Sequence, residues 1–228
     1  MRIFNSILLC IFFFLAFINT SYADNSTYWT IQKDYRKCMY PMCGGYWVKR
    51  VNRAQTPCAD RELKEQCYVV DLDWSATDLS ELQISELENS LNMLLVRGER
   101  EEASFFDIQE GTFYNLKVQE AWLAVTDEKA RGWFVRLYDN GVRCITTPCA
   151  SIDQAFLNTV FTISIHEVDL LATNATDEQI TDGMNAIFNS EDGLIAAGTN
   201  KFFIEDFSIG INFWATQFFL RVESDIKE

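Results

Sequence analysis

The chain has 228 residues, 48% of them hydrophobic and 14% aromatic, enough for one large core or two small ones. Its 19 Lys and Arg stand against 33 Asp and Glu, and the formal net charge of −14 works against phosphate backbones and anionic membrane surfaces, so nucleic acid is not an expected partner. Three prolines and ten glycines exclude a fibrous or low-complexity chain.

Residues 1–23 read as a signal peptide. Arg2 supplies a positive start, and Ile7 to Ile18 is an apolar run of twelve residues, too short to span a bilayer comfortably. Ser21-Tyr22-Ala23 then offers a small-x-small cleavage site, so the mature chain is expected to begin at Asp24 and to have no membrane association. Of seven cysteines, Cys10 falls in the signal. The remaining Cys38, Cys43, Cys58, Cys67, Cys144 and Cys149 are an even number, which in an exported chain reads as three disulfides.

Tyr28 to Tyr35 is aromatic and β-branched and reads as a strand. Cys38 to Cys43 is a turn, and Gly44-Gly45 permits the positive φ or close backbone approach needed to leave it. Tyr46 to Asn52 returns as a strand, so Cys38–Cys43 would close the mouth of a hairpin. Thr56 to Gln66 is polar and irregular. Cys67 to Trp74 alternates, with Tyr68, Val70, Leu72 and Trp74 on one face. Ser85 to Leu95 reads as a helix, with Ser85 and Glu88 as a capping box and Leu87, Leu91, Leu94 and Leu95 as its apolar stripe. Gly98 ends that segment. Thr112 to Val125 is a long strand.

Thr126 to Gly132 is a charged gap and marks a boundary, giving domains at 24–127 and 128–228. The pattern then restarts. Trp133 to Tyr138 is a strand, Asp139-Asn140-Gly141 a turn, and Cys144–Cys149 a second staple. Phe161 to Leu170 is a strand, and Asp177 to Asn189 a helix capped by Thr176 or Asp177. Gly198 closes a short strand, and Ile211 to Val222 is the last one. Cys38 to Cys144 is 106 positions, whereas Asp71 to Asp169 is 98, so the first copy carries about eight extra residues where Cys58 and Cys67 sit. The fold expected is α+β: two tandem repeats, each a mainly antiparallel sheet with a disulfide-stapled hairpin and one covering helix. The spacing pairs the cysteines locally, as Cys38–Cys43, Cys58–Cys67 and Cys144–Cys149.

Cys38-x4-Cys43-Gly-Gly-Tyr-Trp-Val-Lys-Arg-Val-Asn52, with Cys67-Tyr-Val and Asp71 after it, resembles the signature of an uncharacterised family of secreted bacterial proteins. Cys144-x3-Pro148-Cys149 followed by Leu157-Asn158 resembles its second motif. The resemblance covers nearly the whole mature chain. It implies a bacterial envelope or extracellular location and lends no catalytic residue.

Candidate chemistry is sparse. The single histidine, His166, falls on the opposite face of its strand from Phe161, Ile163 and Ile165 and reads as an exposed strand residue. Carboxylates on strands (Asp71, Asp73, Glu120 and Asp169) suit a hydrolase in principle. No metal or other cofactor is expected, because export favours bridges over zinc thiolates and the acidic segments lack the spacing of a calcium loop. Tyr40, Tyr46 and Trp47 around the first staple form a candidate binding surface. The expectation is a non-catalytic secreted or periplasmic binding protein, its partner an extracellular protein or glycan. The alternatives are an enzyme inhibitor acting through a stapled loop, and a carboxylate-based hydrolase.

Overall fold

The computed structural model describes residues 27–103, 112–145, 148–205 and 208–224. The expected signal peptide and Cys10 lie outside them.

The N-terminal part begins with an antiparallel hairpin of β1 (Thr27–Lys33) and β2 (Tyr46–Arg50). A small pair, β3 (Thr56–Pro57) with β4 (Leu63–Lys64), stands beside it. Then come β5 (Cys67–Val69), β6 (Leu72–Asp73), helix α1 (Glu81–Asn89), and the long strands β7 (Leu94–Ala103) and β8 (Phe113–Ala124). The C-terminal part runs β9 (Trp133–Asp139), β10 (Ile152–Phe156), β11 (Thr162–Ile165), β12 (Glu167–Asp169), helix α2 (Asp177–Asn189), β13 (Leu194–Glu205) and β14 (Ser208–Arg221). One mainly antiparallel sheet takes in both parts, in the order β11-β10-β9-β13-β14-β8-β7-β1-β2-β5. β6 joins β8 and β12 joins β14 in parallel.

Three apolar clusters explain that order. Trp29, Ile31, Val48, Val96, Leu116 and Val118 face one way in the N-terminal part, where Leu87 of α1 packs on them. Val135, Leu137, Ile165, Leu194, Phe213 and Phe218 form the second cluster with Ile187 of α2. The third lies between the parts and is made of Val51, Leu95, Trp122, Leu157, Ile195 and Phe219. Consecutive residues such as Leu94, Leu95 and Val96 are all buried because β7 is covered on both faces, so its sequence shows no alternation.

That two-sided burial accounts for the main departure from expectation. Leu94 and Leu95 belong to β7, and the helix starts earlier, at a Ser80/Gln83 capping box, and ends at Asn89. An apolar run at spacings of 4, 3 and 1 satisfies a helix and a doubly buried strand equally, and length did not separate them. α2 spans 177–189 behind a Thr176/Gln179 capping box. Gly98 and Gly198 do not end strands. Each sits at a register shift inside a continuing strand, where an added Cβ would collide with the Lys117 carbonyl and the Trp214 carbonyl respectively. The segment from Phe161 to Leu170 is two strands, β11 and β12, parted at His166.

Two asparagines join the parts reciprocally. Asn52 follows β2 at φ 56°, and Asn158 follows β10 at φ 58°. The Asn52 amide donates to the carbonyls of Phe134 (2.6 Å) and Leu157 (3.0 Å) and accepts from Phe134 N–H (2.9 Å). The Asn158 amide donates to the carbonyls of Tyr28 (2.9 Å) and Val51 (3.0 Å) and accepts from Tyr28 N–H (2.8 Å). Each side chain therefore pairs with the opposite part's backbone as a strand neighbour would. Asn52→Ala should lower unfolding free energy by about 3 kcal/mol, since it strands the Phe134 N–H and the Leu157 carbonyl, while the Phe134 carbonyl keeps the Leu157 N–H, and puts a Cβ-bearing residue without a local hydrogen bond at positive φ. Asn52→Gly should cost about 1 kcal/mol less, because only the hydrogen bonds are lost. Urea denaturation of the two variants measures both values, and equal midpoints for wild type and Asn52→Gly would refute the role given to the amide.

Candidate functional site

The first stapled loop joins β1 to β2. Cys38 and Cys43 are bridged with their Cα atoms 5.7 Å apart. Cys58–Cys67 ties the β3–β4 pair to β5, and Cys144–Cys149 closes the β9–β10 connection, at Cα separations of 5.3 and 5.6 Å.

What shapes the first loop lies behind it. Asp34 leaves β1 buried, only 4% exposed. Its carboxylate accepts from Arg36 Nε (3.0 and 3.1 Å), from Arg36 Nη2 (2.9 Å) and from Gly44 N–H (3.3 Å). The Arg36 hydrogen bonds hold the Asp34 carboxyl below its ordinary value, against the opposing effect of burial, and the Arg36 guanidinium is raised in return. Arg36 also donates to Met42 O (3.2 Å), and its guanidinium carbon lies 4.8 Å from the Trp47 ring centre and 5.6 Å from that of Tyr68. Trp47 meets Tyr68 edge-on at 5.7 Å. The Tyr68 hydroxyl donates to Pro41 O (2.8 Å) and accepts from Gly45 N–H (3.2 Å). Gly44 takes φ 86°, and a Cβ on Gly45 would strike the Val69 and Val70 carbonyls, so the two glycines serve different ends.

With its inner side so fixed, the loop turns Tyr35, Met39, Tyr40 and Met42 outward at 86%, 80%, 63% and 57% exposure. The expected trio of Tyr40, Tyr46 and Trp47 is not one surface. Tyr46 and Trp47 are neighbours on β2 and point to opposite faces; Tyr46 is buried in the first cluster, while Trp47 is half-buried behind the loop. Only Tyr40 of the three is on the outer face. Tyr35, Met39 and Met42 complete that face. Met39 and Met42 lie on the Met39-Tyr40-Pro41-Met42 loop that the inhibitor alternative would present, whereas Tyr35, read as the end of a strand, had no sequence signal for this face. In the second staple Ile145 is fully exposed, and Thr146-Thr147 lie outside the described residues.

The other candidates are engaged locally. His166 is half-buried, its Nδ1 accepts from Ile211 N–H (3.0 Å), and its ring meets Phe203 edge-on at 5.5 Å. The expected exposed histidine is thus a partly packed one, because the chain breaks between β11 and β12 at this residue. Asp71, Asp73 and Asp169 each accept from a nearby backbone N–H, of Leu72, Ser75 and Leu171. Glu120 pairs with Arg97 (3.0 Å) and approaches Arg221 (3.7 Å). Among the described residues no three His, Cys, Asp or Glu side chains gather as a metal would require. No helix among them is long and apolar enough to cross a membrane.

Two outcomes follow. A carboxyl held below its ordinary 3.8 stabilises the fold fully above that value and loses the contribution as pH falls through its folded value. Melting of the wild type should therefore fall steeply below about pH 4, and Asp34→Asn should show a lower but flatter profile in the same range. What slope remains comes from surface pairs such as Asp139, held at about 2 by Arg143. His166→Ala should cost about 1 kcal/mol in urea titration, since Ile211 N–H loses its acceptor.

The family model described as Domain of unknown function (DUF6748) matches residues 27–225. No curated protein and no solved structure matches the chain.

Proposed function

Taking as premise that the chain belongs to the DUF6748 family, we propose that it is a secreted or periplasmic, non-catalytic binding protein that docks an extracellular protein or glycan on its first stapled loop. One observation carries the reading. Four large side chains stand exposed on a loop whose backbone is held by a bridge, a buried carboxylate paired with a half-exposed guanidinium, and a tyrosine hydroxyl. A surface fixed before binding loses little entropy when a partner arrives, and exposed aromatic and Met side chains supply contact area. Three disulfides are compatible with an oxidising, extracellular location.

The same rigidity favours a second reading, a protein inhibitor that presents Met39-Tyr40-Pro41-Met42 to an extracellular enzyme. A carboxylate-based hydrolase has less support, given the local engagement of its candidate acids.

We also propose that the chain is two copies of one unit, 24–127 and 128–228. Support comes from the strand order, which reads β5-β2-β1-β7-β8 in one part and β11-β10-β9-β13-β14 in the other. The reciprocal Asn52 and Asn158 and the register shifts at Gly98 and Gly198 agree with it.

Replacing Tyr40 by a photo-crosslinking phenylalanine analogue and exposing the mature chain to the native extracellular fraction tests the docking surface. Crosslinks should form at position 40 and not at Leu63, which is exposed away from this loop on β4. The triple variant Met39→Ala/Tyr40→Ala/Met42→Ala should abolish them with melting temperature unchanged within about 2 °C, as expected for exposed positions. Equal capture at both positions, or by the triple variant, would defeat the proposal.

A further inference from the structure

At one end of the first cluster the sheet opens into a cavity of about 280 Å³, lined by Thr27, Trp29, Arg50, Pro57, Glu99 and Arg100. Arg50 on β2 pairs in register with Trp29 on β1. Arg100 lies on β7, the strand on the other side of β1, two residues beyond the Gly98 that pairs with Thr27. Its guanidinium carbon is 5.8 Å from the Trp29 ring centre and 5.2 Å from that of Tyr114. Two cationic side chains thus reach one recess from the two strands flanking β1.

Among the described residues neither has a carboxylate for its charge, although Arg100 lies against the Trp29 and Tyr114 rings. The Arg50 Nε is buried without a hydrogen-bond acceptor. Among the described residues no carboxylate pairs with Arg50 or Arg100, and Glu99, the acid that lines the recess, pairs with neither. Five other arginines do have a carboxylate: Arg36 with Asp34, Arg97 with Glu120, Arg136 and Arg221 with Asp192, and Arg143 with Asp139; Arg53 donates instead to the Asn158 carbonyl. In a chain with 33 acidic residues against 19 basic ones, two half-buried arginines left facing one another are not explained by any shortage of carboxylates. Burial is the main cause pushing both guanidiniums below their ordinary value. Arg53 adds to it at Arg50, and Arg50 adds to it at Arg100, where Tyr114 opposes. An unmatched pair of half-buried like charges costs stability, and an anion between them removes that cost.

We propose that this recess is an anion site for a doubly charged tetrahedral group of the phosphate or sulfate class, held between Arg50 and Arg100. Two planar guanidiniums supply forked N–H donors suited to such oxygens. A divalent group cancels both charges, whereas a single carboxylate leaves one uncancelled. The group is either the free inorganic anion or one carried on a sugar.

Calorimetric titration of the full mature chain at fixed ionic strength tests this, with sodium sulfate, sodium phosphate and a sulfated hexose as probes and sodium acetate as the comparison. Sulfate and phosphate should bind saturably at one site and acetate should not. Tighter binding of the sulfated hexose would place the group on a sugar, and equal binding would favour the free anion. Arg50→Gln and Arg100→Gln should each weaken binding about tenfold or more, the loss of one charge-assisted contact. Arg143→Gln, at an exposed arginine paired with Asp139, should leave it unchanged. Should the glutamine variants fail to fold, the Arg50 Nε–H resonance of the wild type gives a second readout and should shift along the sulfate titration. No saturable heat with any probe, an unmoved Arg50 resonance, or undiminished binding by folded glutamine variants would overturn the site.

Discussion

The structure depends on how its N-terminal and C-terminal parts are made to meet within one sheet. β8 and β14 pair over Phe219–Ala124, Leu220–Leu123 and Arg221–Trp122, with Val125 N–H to Phe218 O and Val222 N–H to Ala121 O at the two ends, a short seam for so wide a sheet. The asparagine exchange supplies what that seam lacks. Asn52 and Asn158 each extend the opposite part's hydrogen bonding by one side-chain amide, and both take the left-handed conformation that Asn tolerates better than most residues. With their backbone partners satisfied, Val51 and Leu157 beside them can be buried in the third cluster. Removing the exchange would leave buried backbone groups unpaired at the place where the parts are least paired otherwise.

Electrostatics follow the same seam. Glu120 on β8 meets Arg97 and Arg221, and Asp192 ahead of β13 meets Arg221 and Arg136. The chain of alternating charges crosses from one part to the other. Single surface pairs contribute little, but a connected network ordered by strands loses less side-chain entropy per contact. Tyr28 lies in its field, and burial pushes its phenol up to about 12, so it stays neutral across the physiological range.

The stapled loop divides its functions by depth. Its inner layer, Asp34, Arg36, Trp47 and Tyr68, stacks charge on aromatic rings and takes up the backbone donors and acceptors of the turn. In front of this layer Tyr35, Met39, Tyr40 and Met42 stand exposed. The bridge by itself would not do this, since a closed loop of a few residues still has many conformations, and closing so short a loop constrains the unfolded chain only modestly.

The sequence by itself determined the cysteine pairs, because the Cys-x4-Cys spacing recurs and leaves Cys58 and Cys67 to each other, and it located α2 from its cap at Thr176 or Asp177. It showed a mainly antiparallel α+β chain and most strands of the hairpins, since half-buried strands alternate. Only the tertiary structure decided the start of α1 and the strand fate of Leu94 and Leu95, because burial on both faces erases the periodicity that tells strand from helix. It decided that Tyr46 turns inward while Tyr40 turns out, a matter of which sheet face the core occupies. It also decided the uses of Asn52, Asn158, Arg50 and Arg100. Each of these acts on residues tens of positions away, and a side chain's partner across a sheet is set by strand order and register, which no local pattern encodes.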